Sequence, residues 1–193
     1  AEYGESKAQH NVALFYHNGI SVDRDIETAV NWYTKAADQN YIPSQINIAK
    51  LYYNGDGVEK NIKEAITWWK KAANLGSKGA QHNLGLMYFL GQGIEQDFSK
   101  AMEWYLRAAK QGSKEAQNSL GFIYFEGKGV SKDLIEAYAW FQLAASADYD
   151  QAKLNSSIVE ANLDNSEMQK AREKAEQYIL EYASDSELVD SNE

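Results

Sequence analysis

Apolar and small residues in this chain recur at two spacings. Within short segments they fall three and four positions apart, as at Leu84 and Tyr88 or at Ala101, Tyr105 and Ala108, the spacing of one face of a helix. Over longer distances whole segments return. Tyr16, Tyr52, Tyr88 and Tyr124 lie 36 residues apart, as do Gly19, Gly55, Gly91 and Gly127. Ala29, Ala65, Ala101 and Ala137 keep the same interval, and so do Trp32, Trp68, Trp104 and Trp140. A small position runs through Ala8, Ser44, Ala80, Ala116 and Ala152. Such a period marks repeats, here four full ones and the first helix of a fifth. Gly4-Glu-Ser-Lys-Ala8 aligns with Gly76-Ser-Lys-Gly-Ala80, which places residue 1 near the end of a preceding unit and sets up the expectation of sequence upstream.

Each repeat reads as helix, glycine-containing loop, helix, short turn. In the third, a first helix is expected over about 77–90. Gly85 lets a neighbouring helix approach, Gly91 ends the helix in the left-handed region and Gly93 permits a second unusual turn. Ile94, like Val22, Val58 and Val130, fills the space between the two helices. Asp97 then caps the second helix, as Asp25, Asn61 and Asp133 do elsewhere, because a short side-chain oxygen accepts from free helical N–H groups. Asn61-x-x-Glu64 and Asp133-x-x-Glu136 resemble capping boxes. Asn40 and Asp148 replace Gly76 and Gly112, and both residue types tolerate the left-handed conformation. The repeated tryptophans, and Trp69 with Tyr33, Tyr105 and Phe141 in its column, are expected in the core. A helix pair alone leaves apolar surface bare; stacking of pairs covers it and produces a solenoid.

After Ala152 the period fades. A last first-type helix is expected over about 151–161, and Ser166-x-x-Gln169 looks like the capping box of an amphipathic helix carrying Met168, Ala171, Ala175, Tyr178, Ile179 and Tyr182. Open stacks need such a lid over their last apolar face. The expected organisation is repeats over 1–164, a capping helix over 165–184 and a disordered acidic tail over 185–193, which holds four acidic residues and no Lys or Arg.

Ala80-Gln-His-Asn83-Leu84-Gly85, Gly91-x-Gly93-Ile94, Asp97 and Ala101-x-x-Trp104-Tyr105-x-x-Ala108-Ala109 resemble the Sel-1-like repeat family, a branch of the tetratricopeptide-like helical repeats. The resemblance implies an all-α fold, an α/α right-handed superhelical solenoid of helix-turn-helix repeats with a C-terminal capping helix. It also implies an adaptor that assembles protein complexes. It favours the periplasm or secretion as location and leaves the cytoplasm open. Three positions depart from the pattern: Ser21 replaces the second glycine, Lys50 stands on an apolar column, and Leu143 replaces Lys35, Lys71 and Arg107. Leu143 fits a last repeat whose surface a closing helix covers.

By analogy with tetratricopeptide arrays, the first-helix columns of His82, Leu86 and Phe89 line a concave wall. Across the repeats the candidate partner-binding residues are His10, Leu14 and His17; Ile46 and Tyr53, with Lys50 between them; His82, Leu86 and Phe89; and Asn118, Phe122 and Phe125. A wall meant for water would be polar; this one is rich in large apolar side chains, which points to an interface. The competing reading packs them against adjacent helices. Asn11, Asn47, Asn83 and Ser119 are expected to bond between neighbouring helices.

The chain has 193 residues, a net charge of −9, one proline and no cysteine. The negative balance argues against nucleic acid, whose phosphates call for clustered Lys and Arg. No apolar run is long enough to span a bilayer. His10 and His17 stand two helical turns apart, roughly 10 Å, too far to share a metal ion. No nucleophile–base arrangement, G-x-S-x-G or phosphate loop is present, so neither an enzyme nor a cofactor is expected. The expected partner is another protein or a peptide held on the concave face. The alternative is an immunity-type inhibitor that neutralises a secreted toxin or enzyme. Self-association through the exposed end of the stack is a third option.

Overall fold

The computed structural model describes the backbone of residues 2–189 and the side chains of residues 4–182. Among the described residues there are ten helices and no strand: α1 Glu2–Asn18, α2 Ile26–Ala37, α3 Ile42–Asn54, α4 Ile62–Asn74, α5 Lys78–Leu90, α6 Phe98–Lys110, α7 Lys114–Glu126, α8 Leu134–Ser146, α9 Asp150–Glu160 and α10 Asn165–Val189. The fold is the all-α class of helix-turn-helix repeats closed by a C-terminal helix. The chain forms two compact units, Ala1–Met87 with Gln92–Glu95, and Tyr88–Gly91 with Gln96–Glu193.

The repeat loops form as their residues dictate. Asp25, Asn61, Asp97 and Asp133 each adopt an extended backbone and accept from the N–H three residues on, at Thr28, Glu64, Lys100 and Glu136. Each also donates its own N–H back to the tyrosine of the preceding helix, Asp25 to Tyr16 O at 2.9 Å and Asn61 to Tyr52 O at 2.8 Å. Asn40 and Asp148 do take left-handed φ, at 62° and 55°. The second loop glycine has a further cause. A Cβ on Gly57 would lie 2.5 Å from Ile26, and one on Gly129 2.6 Å from Phe98, so the loop presses its backbone onto the second helix of the repeat before. Ser21 occupies that column in the first repeat, at φ 61°.

In the first unit α1 packs on α2, α2 on α3 and α3 on α4. The seams are lined by fully buried small residues, Ala13, Ala29, Ala36, Ala49, Ala65 and Ala72. A polar contact recurs where a second helix meets the first helix of the next repeat: Gln45 Nε2 donates to the Ala37 carbonyl and Gln81 Nε2 to that of Ala73, both at 3.1 Å. Tyr33 is wholly buried, and its hydroxyl bonds to Asn47 of the next helix, the inter-helix role expected for that column.

In the second unit α6 packs on α7, α7 on α8 and α8 on α9, with α10 lying across α8. Gln117 Nε2 repeats the seam bond to Ala109 O at 3.1 Å. Ser119 bonds to Tyr105, whose burial raises its phenol well above the usual range. The lid is aromatic. Trp140 meets Tyr178 at 4.7 Å and stacks on Tyr182 at 5.6 Å between centroids. Leu143 is buried in the cluster these rings complete, as a covered last repeat requires. Tyr178 donates to Glu136 Oε2 at 2.7 Å, and Lys174 pairs with the other oxygen of that carboxylate.

The tryptophan column is not uniformly core. Trp68 and Trp140 are buried, but Trp32 and Trp104 are only half-buried. In the first three repeats a cation covers the outer ring face: Lys35 over Trp32 at 4.1 Å, Lys71 over Trp68 at 3.8 Å and Arg107 over Trp104 at 4.5 Å. A cation one helical turn on screens a ring that its repeat cannot fully bury.

The capping box of α10 lies two residues before the expected Ser166. Asp164 accepts from the Ser166 and Glu167 N–H groups, and Glu167 Oε2 accepts from the Asp164 N–H at 3.0 Å. An Asp with a Glu three residues on closes both halves of the box. The backbone of α10 is helical to Val189, past the 184 boundary expected for the lid; the remainder of the acidic tail, residues 190–193, lies outside the described residues.

Candidate functional site

In the second unit the wall residues come together on α7 and α9. Phe122 and Phe125, one turn apart, flank an apolar pocket of about 160 Å³ completed by Phe141, Asn155 and Ile158. Phe141 is 1% exposed and fixed in the core, whereas Phe122 is 41% and Ile158 54% exposed. The pocket therefore has a rigid back and a bare apolar rim. Phe89 meets Phe122 edge-on at 6.1 Å and Phe98 at 5.4 Å, extending the rim with ring edges. Phe125 packs partly into the core cluster, with Lys132 5.0 Å from its ring centroid. At the polar side Asn155 Nδ2 donates to Asn118 Oδ1 at 2.9 Å, and Gln151 Nε2 donates to Asn155 Oδ1 at 3.1 Å. These amides are thereby oriented, which leaves the Asn118 and Asn155 columns fixed beside the pocket mouth.

Two exposed apolar residues of this face were absent from the expected set. Leu154 is 63% exposed, and with Ile158 it lies 36 residues on from Asn118 and Phe122 respectively. Carrying the period one unit further would have found both.

In the first unit the candidates separate. His10 is buried; its Nδ1 lies 2.8 Å from Ser44 Oγ, and its ring meets Tyr33 and Tyr41 at 5.3 and 5.1 Å. Desolvation lowers its pKa. His17 Nδ1 lies 3.0 Å from the Tyr33 hydroxyl, so this ring too is tied to the core. Leu14, Ile46, His82 and Leu86 are half-buried. Tyr53 leans on Trp69 at 5.2 Å and donates to Gln92 Oε1 at 3.3 Å. Lys50 is exposed between them. A larger cavity of about 580 Å³ opens beside the second loop, lined by Glu27, Asn31, Tyr52, Glu59 and Lys60 among others, a mixed polar set without the apolar back of the α7–α9 pocket. Among the described residues no three His, Cys, Asp or Glu side chains gather to hold a metal, and no helix is long and apolar enough to cross a membrane.

An apolar pocket with a bare aromatic rim can seat a side chain and exclude water from it; it offers no group for proton transfer or nucleophilic attack. Three solved structures share the fold. The protective antigen c5321 of uropathogenic Escherichia coli, described as displaying an SLR fold, is 36% identical over 100% of this chain at a TM-score of 0.83. This chain spans 42% of that protein's length. A Sel1 repeat protein from Oxalobacter formigenes is 30% identical at a TM-score of 0.78, with 89% of this chain and 73% of that one covered. The immunity protein Pa5087 of Pseudomonas aeruginosa, 22% identical at a TM-score of 0.52 over 90% of this chain and 68% of its own, shares the fold alone. The Sel1 repeat profile matches residues 6–41, 42–77, 79–113 and 114–149, in the same register as the glycine loops and seam glutamines. Proteins of that family are protein-interaction scaffolds, and this chain belongs to the Sel1 repeat family.

Proposed function

We propose that this chain is a non-catalytic binding module whose α7–α9 face takes an apolar side chain of a partner protein or peptide. One observation carries the reading: Phe122 and Ile158 stand 41% and 54% exposed around a pocket backed by the buried Phe141 ring, with Leu154, 63% exposed, one turn before Ile158 on α9. Large apolar side chains left this bare around a concave pocket are characteristic of interface hot spots. Phe89, Phe125 and Asn118 complete the rim. In the first unit Leu14, Ile46, Tyr53, His82 and Leu86 offer a second, shallower wall, while His10 and His17 act on it indirectly by holding α1 against Tyr33 and Ser44.

A displayed peptide library tests it. Panning against the folded chain, with Phe122→Ser/Ile158→Ser as counter-target, is expected to enrich sequences with one large apolar residue that the double variant no longer retains. Enriched peptides that bind both proteins equally would place the site elsewhere.

A further inference from the structure

Asn155 departs from what Asn47 and Ser119 do in the same column. That column pairs with one on the preceding second helix that holds Tyr33, Trp69, Tyr105 and Phe141. Asn47 bonds to the Tyr33 hydroxyl and Ser119 to that of Tyr105, so each closes the seam behind it. Phe141 has no hydroxyl to offer. Asn155, half-buried, bonds along the wall instead: its Nδ2 donates to Asn118 Oδ1 at 2.9 Å, and its Oδ1 accepts from Gln151 Nε2 at 3.1 Å. A polar group that elsewhere serves the core here lines the apolar pocket, beside Phe122 and Ile158.

The three amides keep bonding capacity in reserve. Among the described residues Asn118 Nδ2 has no acceptor, Gln151 Oε1 has no donor, and Asn155 Nδ2 carries a second hydrogen beyond the one given to Asn118. Donors and acceptors therefore stand side by side at one edge of a pocket whose lining carries no ionised side chain. That complement suits a neutral group that also donates and accepts side by side, as a peptide backbone does. The spacing narrows the choice. Gln151 and Asn155 are one turn apart on α9, about 6 Å along its axis. An extended chain presents N–H and C=O to the same side at every second residue, about 6.6 Å apart. In a helix those groups are bonded within its own turns. Leu154 and Ile158 run beside the amides at the same interval, placed to meet alternate side chains of an extended segment.

We propose, on the reading that this pocket holds a partner's apolar side chain, that the partner segment is extended and that Asn118 and Gln151, held by Asn155, bind its backbone. Asn118 takes both groups of the residue whose side chain enters the pocket. Its Nδ2 donates to that residue's carbonyl, and the second lone pair of its Oδ1 accepts from the N–H. Gln151 Oε1 accepts the N–H two residues along. Asn155 fixes the distance between the two through its bonds to each. Such a site reads one side chain by its size and apolarity and takes the flanking residues by their backbone. Proline is excluded at either bonded residue, because it has no N–H to give.

Two displayed libraries test it: short random linear peptides, and a helical scaffold with one randomised face. The linear peptides are expected to enrich on the unmodified chain and the helical scaffold is not. Enriched peptides are then resynthesised with each backbone amide N-methylated in turn, which leaves the protein untouched. Methylation at the apolar anchor, or two residues along, is expected to weaken binding about fivefold, the net effect of one lost hydrogen bond, and to leave it unchanged elsewhere. Proline is expected to be missing from the same two positions. Against Asn118→Ala/Gln151→Ala the unmethylated peptides are expected to bind more weakly and the two methylations to cost little more. Peptides indifferent to methylation throughout, yet lost on Phe122→Ser/Ile158→Ser, overturn the backbone contacts and leave the pocket standing; so does enrichment from the helical library alone. Peptides that Phe122→Ser/Ile158→Ser retains overturn the pocket and the backbone contacts with it, as does enrichment from neither library.

Discussion

Gly121→Ala tests how tightly the wall is tied to the core. Gly121 lies inside α7, and a Cβ built there falls 2.6 Å from Cδ1 and Cε1 of Phe141 and 2.9 Å from Cγ. Carbon atoms pack at roughly 3.5–4.0 Å, so the ring must retreat by about 1 Å. Phe141 is 1% exposed, and the space open to it is the pocket of about 160 Å³ that it backs. Overpacking of this kind costs about 1–3 kcal/mol, while replacing a helical glycine by alanine returns up to about 1 kcal/mol. The expected net loss is about 1 kcal/mol, or roughly 2–4 °C in Tm for a chain of this size. Gly79→Ala provides the contrast: it lies in α5 with nothing within 4 Å of its Cβ position, so only the helix gain remains and stability is expected to rise slightly. Thermal and urea unfolding of both variants, with Gly121→Ala/Phe141→Leu as the relief mutant, measure the difference. Equal stabilisation by Gly121→Ala and Gly79→Ala would refute the close approach of α7 to α8. The same substitution is expected to weaken any peptide held in the pocket, because the displaced ring fills it.

Trp140→Ala is expected to cost about 3–5 kcal/mol in urea unfolding, since a buried ring stacked under Tyr178 and Tyr182 is removed; Trp32→Ala, half-buried beneath Lys35, is expected to cost clearly less. Asp133→Ala removes the cap of α8 and is expected to cost about 1 kcal/mol by the same measurement. His10 makes stability depend on pH. Burial holds its folded pKa below the ordinary imidazole value of about 6.5, so above that pH the folded and unfolded forms are both neutral; as pH falls through about 6.5 the unfolded chain takes up a proton that the buried ring refuses. Stability is therefore expected to fall from about pH 6.5 downward, and His10→Asn to flatten that part of the curve in urea titrations at successive pH values. A curve of unchanged slope in the variant would assign the loss to other groups.

Much of the fold was legible because each repeat poses the same local problem and solves it with the same residues. Asp97 and its counterparts announce a helix start, and Asn40 and Asp148 take the left-handed turn that their column demands. Leu143 signalled the lid, since an apolar residue in a column of cations requires a cover. The site was less legible. His10 shares a column with Ile46 and His82, yet it is buried, because α1 turns that position onto Tyr33, Tyr41 and Ser44. Helical spacing gives a face but not its neighbours. Leu154 and Ile158 escaped notice because the glycine and tryptophan columns stop before α9, although the wall columns continue through it. The Asp164 cap was hidden by Ser166, which fits the same pattern two residues later; only the reciprocal bond with Glu167 decides between them.

Helix pairs that stack on one another leave the α7–α9 face, on the reading proposed above, for a partner. Affinity capture from the native organism, followed by mass spectrometry, tests it most directly when three baits run side by side: the unmodified chain, Phe122→Ser/Ile158→Ser, and Leu180→Ser as an equally apolar control far more exposed on α10, at 78%. A protein retained by the first and third baits and lost from the second is expected, with all three folded by circular dichroism. A partner held equally by all three contradicts it.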